Sequence, residues 1–199
     1  MRIVCCLPLI FALLSTPSLA AAPTAADVVS SFHQTLIDNM HGAESLGCAG
    51  RIKHLQTAVD ASYDLRFIAE HILRRHWATL SAAQQAEFIA TLREMVVTTY
   101  ASQFSHFNGE KFVTLETQEI ATDRRVVHAQ LELKSGDPVR FDYVLHQTPD
   151  GWRTINVIAE GVSDLALRSA QYDHVIKEKG FDGLLTMIRE QTAKIMSGC

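Results

Sequence analysis

Between Val127 and Leu145 the chain alternates apolar and polar residues twice in succession, and this restricts the fold more than any other feature. Val127, Ala129, Leu131 and Leu133 interleave with His128, Gln130, Glu132 and Lys134; Ser135-Gly136-Asp137-Pro138 makes a turn; Val139, Phe141, Tyr143 and Leu145 then alternate again. Side chains on a strand point to opposite faces with a period of two, so each run builds a strand with one dry and one wet face. The short turn joins the two runs antiparallel. Phe112 to Ile120, weaker in alternation, and Trp152 to Ala159, after the Pro149-Asp150-Gly151 turn, extend this to a meander of about four strands. An apolar sheet face must be covered, and the rest of the chain supplies helices.

Val28, Val29, Phe32, Leu36, Ile37 and Met40 recur at helical spacing. Gly42 to Gly50 breaks the pattern, Leu55 and Val59 restart it, and Leu65, Ile68, Ile72 and Leu73 mark a further helix ending near Trp77. Ser81-x-x-Gln84 has capping-box spacing, in which each side chain satisfies a free amide of the first turn. The helix it opens carries Phe88, Leu92, Met95, Val96, Tyr100 and Phe104 in one stripe and is expected to run to about His106. Val162 to Glu178 and Phe181 to Met196 read as two helices separated by Gly180. Helices, then hairpins, then helices is an α+β pattern, with the helices gathered on one face of a curved sheet. The absence of repeats and linkers leads to the expectation of one domain over residues 21–199.

Residues 1–20 have the form of a cleaved secretory signal: Arg2, an apolar run from Ile3 to Leu14, and the small-residue site Ser18-Leu19-Ala20. Twelve residues are too few to span a hydrocarbon core, which needs roughly 20. Export from the cytoplasm is therefore expected. With Arg2 removed, the 18 basic residues fall to 17 against 22 acidic ones, a net charge of about −5 with histidine neutral. No Lys/Arg cluster offers the basic face that displaces counterions from nucleic acid, so no nucleic-acid partner is expected. Two cysteines remain after cleavage, Cys48 and Cys199. In an oxidising compartment an even pair invites a disulfide, while two free thiols are the plainer alternative; both stay open at this point.

Catalytic and metal motifs are weak. His71 and His76 are five apart, which on a helix does not bring them to one face, and His128 and His146 fall on the wet phase of their strands, where solvated side chains are expected. No metal and no cofactor is expected. Gly161-Val162-Ser163 supplies the first half of a nucleophile elbow, but Leu165 stands where its second glycine belongs. Ser163 reads as a helix N-cap, with Asp164 favourable to the dipole in the first turn. Glu160 and Arg168 are placed to pair across the turn, and Cys48 beside Gly47 is better read as oxidised or buried than as a nucleophile.

The segment 151–172, GWRTINVIAEGVSDLALRSAQY, resembles the C-terminal signature of the periplasmic lipid-carrier family of MlaC and the toluene-tolerance proteins, and Gly161-Val162-Ser163-Asp164-Leu165-Ala166-Leu167 looks most like its hopanoid-associated branch, HpnM. Tyr63-Asp64-Leu65, Trp77 with Leu80-Ser81 and Phe88, Tyr100, Gly109-Glu110, Tyr143, Gly151-Trp152, Arg168 and Gly183-Leu184 stand in the family's order, so the resemblance runs from about Asp27 to Met196. Two positions depart from it: Arg74 stands where a glycine commonly precedes the tryptophan, and Asn156 replaces an aspartate typical of the phospholipid carriers.

The resemblance implies helices and sheet that enclose a deep apolar pocket, no catalytic residue, and a periplasmic protein carrying a hopanoid-like triterpenoid or a phospholipid. Its implied partners are an inner-membrane lipid transporter and an outer-membrane complex, with transient membrane contact. Its pocket is expected to draw Phe67, Ile68 and Ile72 from the third helical segment and Phe88, Leu92, Met95, Val96, Tyr100 and Phe104 from the long helix. Leu131, Leu133, Phe141, Tyr143, Leu145 and Val157 would come from the sheet, and Val162 and Leu165 from the opening of the C-terminal helix. A filled core and a lined cavity use the same residue types, so this reading rests on the resemblance. Two alternatives stand beside it. One is an enzyme with a similar pocket, for which Tyr143 is the candidate polar group; the other is an adaptor of a membrane complex, which would have a solid core.

Overall fold

The structure, a computed structural model, describes residues 22–199, and the expected signal segment, residues 1–20, lies outside the described residues. Helices α1 (Ala25–His41), α2 (Ala43–Ser62), α3 (Leu65–Leu73) and α4 (Ala82–Gln103) precede strands β1 (Lys111–Ala121), β2 (Arg124–Glu132), β3 (Val139–Thr148), β4 (Gly151–Ala159) and β5 (Val162–Ser163), and α5 (Asp164–Ser197) closes the chain. A 3-10 helix (Arg74–Thr79) carries Trp77 between α3 and α4. The strands pair in sequence order, each antiparallel to the next, so the meander holds and gains β5 as a two-residue hook. Register shifts within β1 and β4 bend the sheet, because an extra residue on one strand kinks the ladder.

The local signals act as chemistry predicts. Ser81 Oγ accepts from the Gln84 amide at 3.3 Å while Gln84 Oε1 accepts from the Ser81 amide at 2.9 Å, forming the capping box of α4. The stretch from Gly42 to Gly50, expected to break the helices, is instead helical from Ala43 and only kinked at Gly47; the expected break in α5 is at Gly180, and the two glycines have φ of 58° and 70°, conformations that cost glycine little. Arg74 reaches φ 51° at the end of α3, so an arginine occupies backbone where glycine would be unstrained.

Two apolar clusters hold the layers together. Phe88, Leu92, Tyr172, Leu184 and Ile188 belong to the larger one, which joins the helices. The smaller one is formed by Ala25 and Val29 of α1 against Val127, Ala129, Tyr143 and Leu145 of the sheet. Helix α1 thus seals one part of the dry sheet face, while α4 packs on α2, α3 and α5. Cys48 and Cys199 form a disulfide with Cα atoms 5.5 Å apart across 151 residues of sequence, tying the end of α5 to α2. Buried Arg51 braces the same corner, donating to the carbonyls of Ala101, Ala43 and Cys199 at 3.1, 3.3 and 3.2 Å. Among the described residues no helix is long and apolar enough to cross a membrane.

Two stability measurements follow. Replacing both Cys48 and Cys199 by serine should lower unfolding free energy by up to about 5 kcal/mol, since the cross-link closes a long loop in the unfolded chain; denaturant titration with and without reductant checks this, and coincident curves would refute it. Arg74→Gly should raise stability by roughly 1 kcal/mol by relieving the left-handed backbone, offset in part by glycine's greater unfolded freedom.

Candidate functional site

Helix α4 and the start of α5 stand off the part of the dry sheet face that α1 leaves uncovered, and the gap is a cleft of about 310 Å³. From α4 it receives Leu92, Val96, Thr99, Tyr100, Gln103 and the following Phe104. The steps from Leu92 to Val96, Thr99 and Gln103 are those of a single helix face. From the sheet come Phe141 and Tyr143 of β3 and Ile155, Asn156, Val157 and Ala159 of β4; Val162, Asp164, Leu165, Leu167 and Arg168 form the far wall, with Tyr63 and Ile68 at the inner end. The depth is read from burial. Tyr63, Leu92, Tyr143 and Ile155 are buried, whereas Val162 and Leu167 are 57% and 60% exposed and mark the mouth.

The turn that carries the mouth is built by local hydrogen bonds. Glu160 and Gly161 both have positive φ, 49° and 78°, as a tight hairpin turn requires. Ser163 Oγ caps α5 by accepting from the Ala166 amide at 3.1 Å and itself donates to Asn156 Oδ1 at 3.1 Å; the same Asn156 oxygen accepts from the Leu165 amide at 3.3 Å. Asn156 therefore ties β4 to the start of α5. The register shift of β4 at Val144/Leu145 leaves Ile155 as the extra residue, and both Ile155 and Asn156 reach the cleft.

Several polar groups in the wall are paired. Arg168 Nε donates to both carboxylate oxygens of Asp164, at 2.9 and 2.8 Å, and its Nη1 reaches Met95 Sδ at 3.0 Å. The Tyr63 and Tyr100 hydroxyls are 2.6 Å apart. Tyr63 is fixed in place because the neighbouring Asp64 amide donates to the Thr154 carbonyl of β4 at 3.0 Å, while the Asp64 side chain caps α3 and accepts from His146. Tyr143 lies 2.9 Å from His33 Nε2 of α1, whose ring stacks on Phe112. Burial pushes the Tyr63 and Tyr143 hydroxyls well above the usual phenol range and Tyr100 up to about 12, so all three stay protonated. Burial also pushes His33 down to about 4.

Of the residues expected to line a pocket, Ile68, Leu92, Val96, Tyr100, Phe104, Phe141, Tyr143, Val157, Val162 and Leu165 come together around this cleft, and seven do not. Phe88, Met95 and Ile72 are buried between helices: Phe88 sets its ring edge-on to Tyr172, Met95 Sδ faces Arg168 and Tyr172, and the Ile72 carbonyl accepts from Ser169. The apolar stripe of α4 is wider than one contact, and its Phe88 and Met95 side turns toward α5. Leu145 is buried in the cluster under α1, and Leu131 in the larger core cluster. Leu133 lies beyond the end of β2 and is 40% exposed. Phe67 stacks on His71 and lies against His146, about 100° round α3 from Ile68.

Other readings are corrected. Arg168 pairs with Asp164, one helical turn before it, and Glu160 instead accepts from the Arg140 amide. His146 is buried, because Asp64 of the α2–α3 connection and Phe67 of α3 lie against it, and His128 bonds Asp142. Sequence reasoning missed Tyr63, Thr99, Gln103, Ile155, Asn156, Ala159, Asp164, Leu167 and Arg168 as lining residues, although Tyr63, Asn156, Asp164 and Arg168 stood out as motif positions. A larger groove of about 840 Å³ runs over the wet sheet face, but Glu116, Arg140, Asp142 and Glu160 line it, which suits water better than hydrocarbon.

Comparison with known proteins gives the family and the fold. The family model described as MlaC protein matches residues 31–190. Among solved structures, the phospholipid-binding protein from Ralstonia solanacearum, determined in complex with a phospholipid, has a similar fold: TM-score 0.78 at 17% identity, over 87% of this chain and 99% of that one.

The burial of His33 generates a pH dependence. His33 ionises near 6.5 when unfolded and near 4 when folded, so the unfolded chain binds the extra proton between these values. Its contribution is present above pH 6.5 and is lost as pH falls toward 4, by roughly 3 kcal/mol in all. Unfolding free energies measured from pH 7 to pH 4 should show this slope in the natural chain and lose it in His33→Gln; equal slopes would refute the assignment.

Proposed function

This chain belongs to the MlaC protein family, and from that premise we propose that it is a periplasmic lipid carrier, exported by its first 20 residues, whose single domain over residues 21–199 holds the apolar part of a lipid in the cleft between α4, α5 and the sheet. The observation that carries the reading is the cleft itself, aliphatic and aromatic in its walls and open between Val162 and Leu167. The phospholipid bound by the similarly folded Ralstonia protein supports it. Each methylene moved from water into such a wall gains about 0.8 kcal/mol, so one tail supplies enough to hold a lipid in water before binding costs. At about 310 Å³ the cleft is at the small end of ligand pockets, which run from about 300 to 1,000 Å³. That size favours one apolar body. A hopanoid-like triterpenoid, the cargo of the branch the chain most resembles, is the first candidate, and a phospholipid the second.

The carrier needs no cofactor. Its partners are an inner-membrane lipid transporter and an outer-membrane complex, between which it passes its cargo with transient membrane contact; any energy input comes from them. An enzyme would need a free acid or base in the cleft, whereas Asp164, the carboxylate among the lining residues, is held by Arg168. A solid-core adaptor is disfavoured by the presence of the cleft.

Protein purified from a native-like host should carry a stoichiometric lipid by mass spectrometry of its extract, and the head group will identify the cargo. Clean protein that also takes no lipid from vesicles would sink the carrier reading. Val96→Glu should fold yet lose at least ten-fold in lipid retained, because a half-buried side chain can place its charge in the cleft, where it meets the tail. Leu92 is fully buried and the same change there would unfold the chain.

A further inference from the structure

The inner end of the cleft carries a donor that the protein does not use. Tyr63 and Tyr100 both line the cleft, and their hydroxyls bond each other at 2.6 Å. Each phenol has one O–H to give and lone pairs to receive. Within the pair one hydroxyl donates and the other accepts, so the accepting hydroxyl keeps its own O–H. Among the described residues neither oxygen bonds any further protein group: Tyr143, the nearest other phenol in the cleft, is engaged with His33. Tyr63 is 7% exposed, and its place is set by the bond from Asp64 to β4. An unused donor in an apolar wall costs free energy unless something entering the cleft accepts it.

We propose that the Tyr63–Tyr100 hydroxyl pair is a specificity site that reads one uncharged acceptor oxygen on the cargo's apolar body, a hydroxyl or an ester carbonyl. This rests on the carrier reading. An anionic oxygen does not fit, because the cation of the cleft, Arg168, is already neutralised by Asp164, and a second carboxylate would be desolvated beside the first. A plain hydrocarbon leaves the donor unmet. Because the partner is one spare O–H shared between two oxygens, either phenol can present it, and removing either hydroxyl leaves the other free to donate. Loss of recognition therefore requires losing both.

The test compares purified natural protein, stripped of lipid, with Tyr63→Phe/Tyr100→Phe, in which the paired hydroxyls leave together and no orphan remains. Hexadecanol, methyl palmitate and hexadecane are titrated as competitors of a bound environment-sensitive dye, with thermal melts confirming that the variant is folded. The double variant should bind hexadecanol or methyl palmitate roughly five-fold more weakly, the size of one neutral hydrogen bond, with hexadecane unchanged. The probe that loses affinity shows whether a hydroxyl or an ester is read. Equal changes for all three probes, or none for any, would overturn the specificity site while leaving the carrier intact. Natural protein that binds none of the three would overturn both readings. Should the double variant fail to fold, Tyr100→Phe and Tyr63→Phe are each expected to keep binding of the oxygenated probes within two-fold, and a larger loss in both would overturn the shared-donor arrangement.

Discussion

An apolar sheet face wider than the helices laid on it is the constraint on which this structure depends. A sheet with one dry side must bury it, and α1 does so for Val127, Ala129 and Leu145. Over Phe141, Val157 and Ala159 the covering helices stand away, because α4 is held by α2, α3 and α5. The apolar core that joins those helices, with the Cys48–Cys199 link and the Arg51 carbonyl bonds at one corner, fixes where α4 lies. The cleft is what remains when helix–helix packing, and not helix–sheet packing, decides that position.

The polar content of the cleft follows the same logic. Hydrocarbon walls make unpaired polar groups costly, and here the carboxylate of Asp164 meets Arg168, the Tyr143 hydroxyl meets a neutral His33, and the side-chain oxygen of Asn156 is spent on the turn into α5. The result is a wall with no free charge and few donors. For a carrier this matters: attraction that is almost entirely apolar is matched by any membrane or protein groove of similar character, so cargo can leave without a chemical step.

Helix periodicity in the sequence located the helical segments and the break at Gly180, and period-two alternation identified β2 and β3, because each signal reflects one face meeting one environment; Ala43 to Gly50, expected to interrupt the helices, is the first part of α2, and the long helix stops at Gln103, short of His106. The stripe on α4 was harder to divide. Leu92 and Val96 face the cleft while Phe88 and Met95 face α5, and all four are simply apolar in the sequence. Tyr63, Asp164 and Arg168 were visible as motif residues, but their shared location follows from hydrogen bonds to β4 and within α5 that join distant or differently shaped segments. His146 shows the reverse error: its wet-phase position in the alternation is correct, and a connection from elsewhere in the chain covers it.

By itself the sequence determined the α+β class, the order of elements, the capped start of α4, the turn opening α5 and the kinship with the MlaC protein family, since all of these are written in neighbouring residues. Whether the apolar surplus fills a core or lines a cavity was decided only in three dimensions. That outcome depends on the gap between two layers, set by packing among α2, α4 and α5 and by the bulge that turns Ile155 and Asn156 inward, and no local pattern of residues encodes a distance between layers.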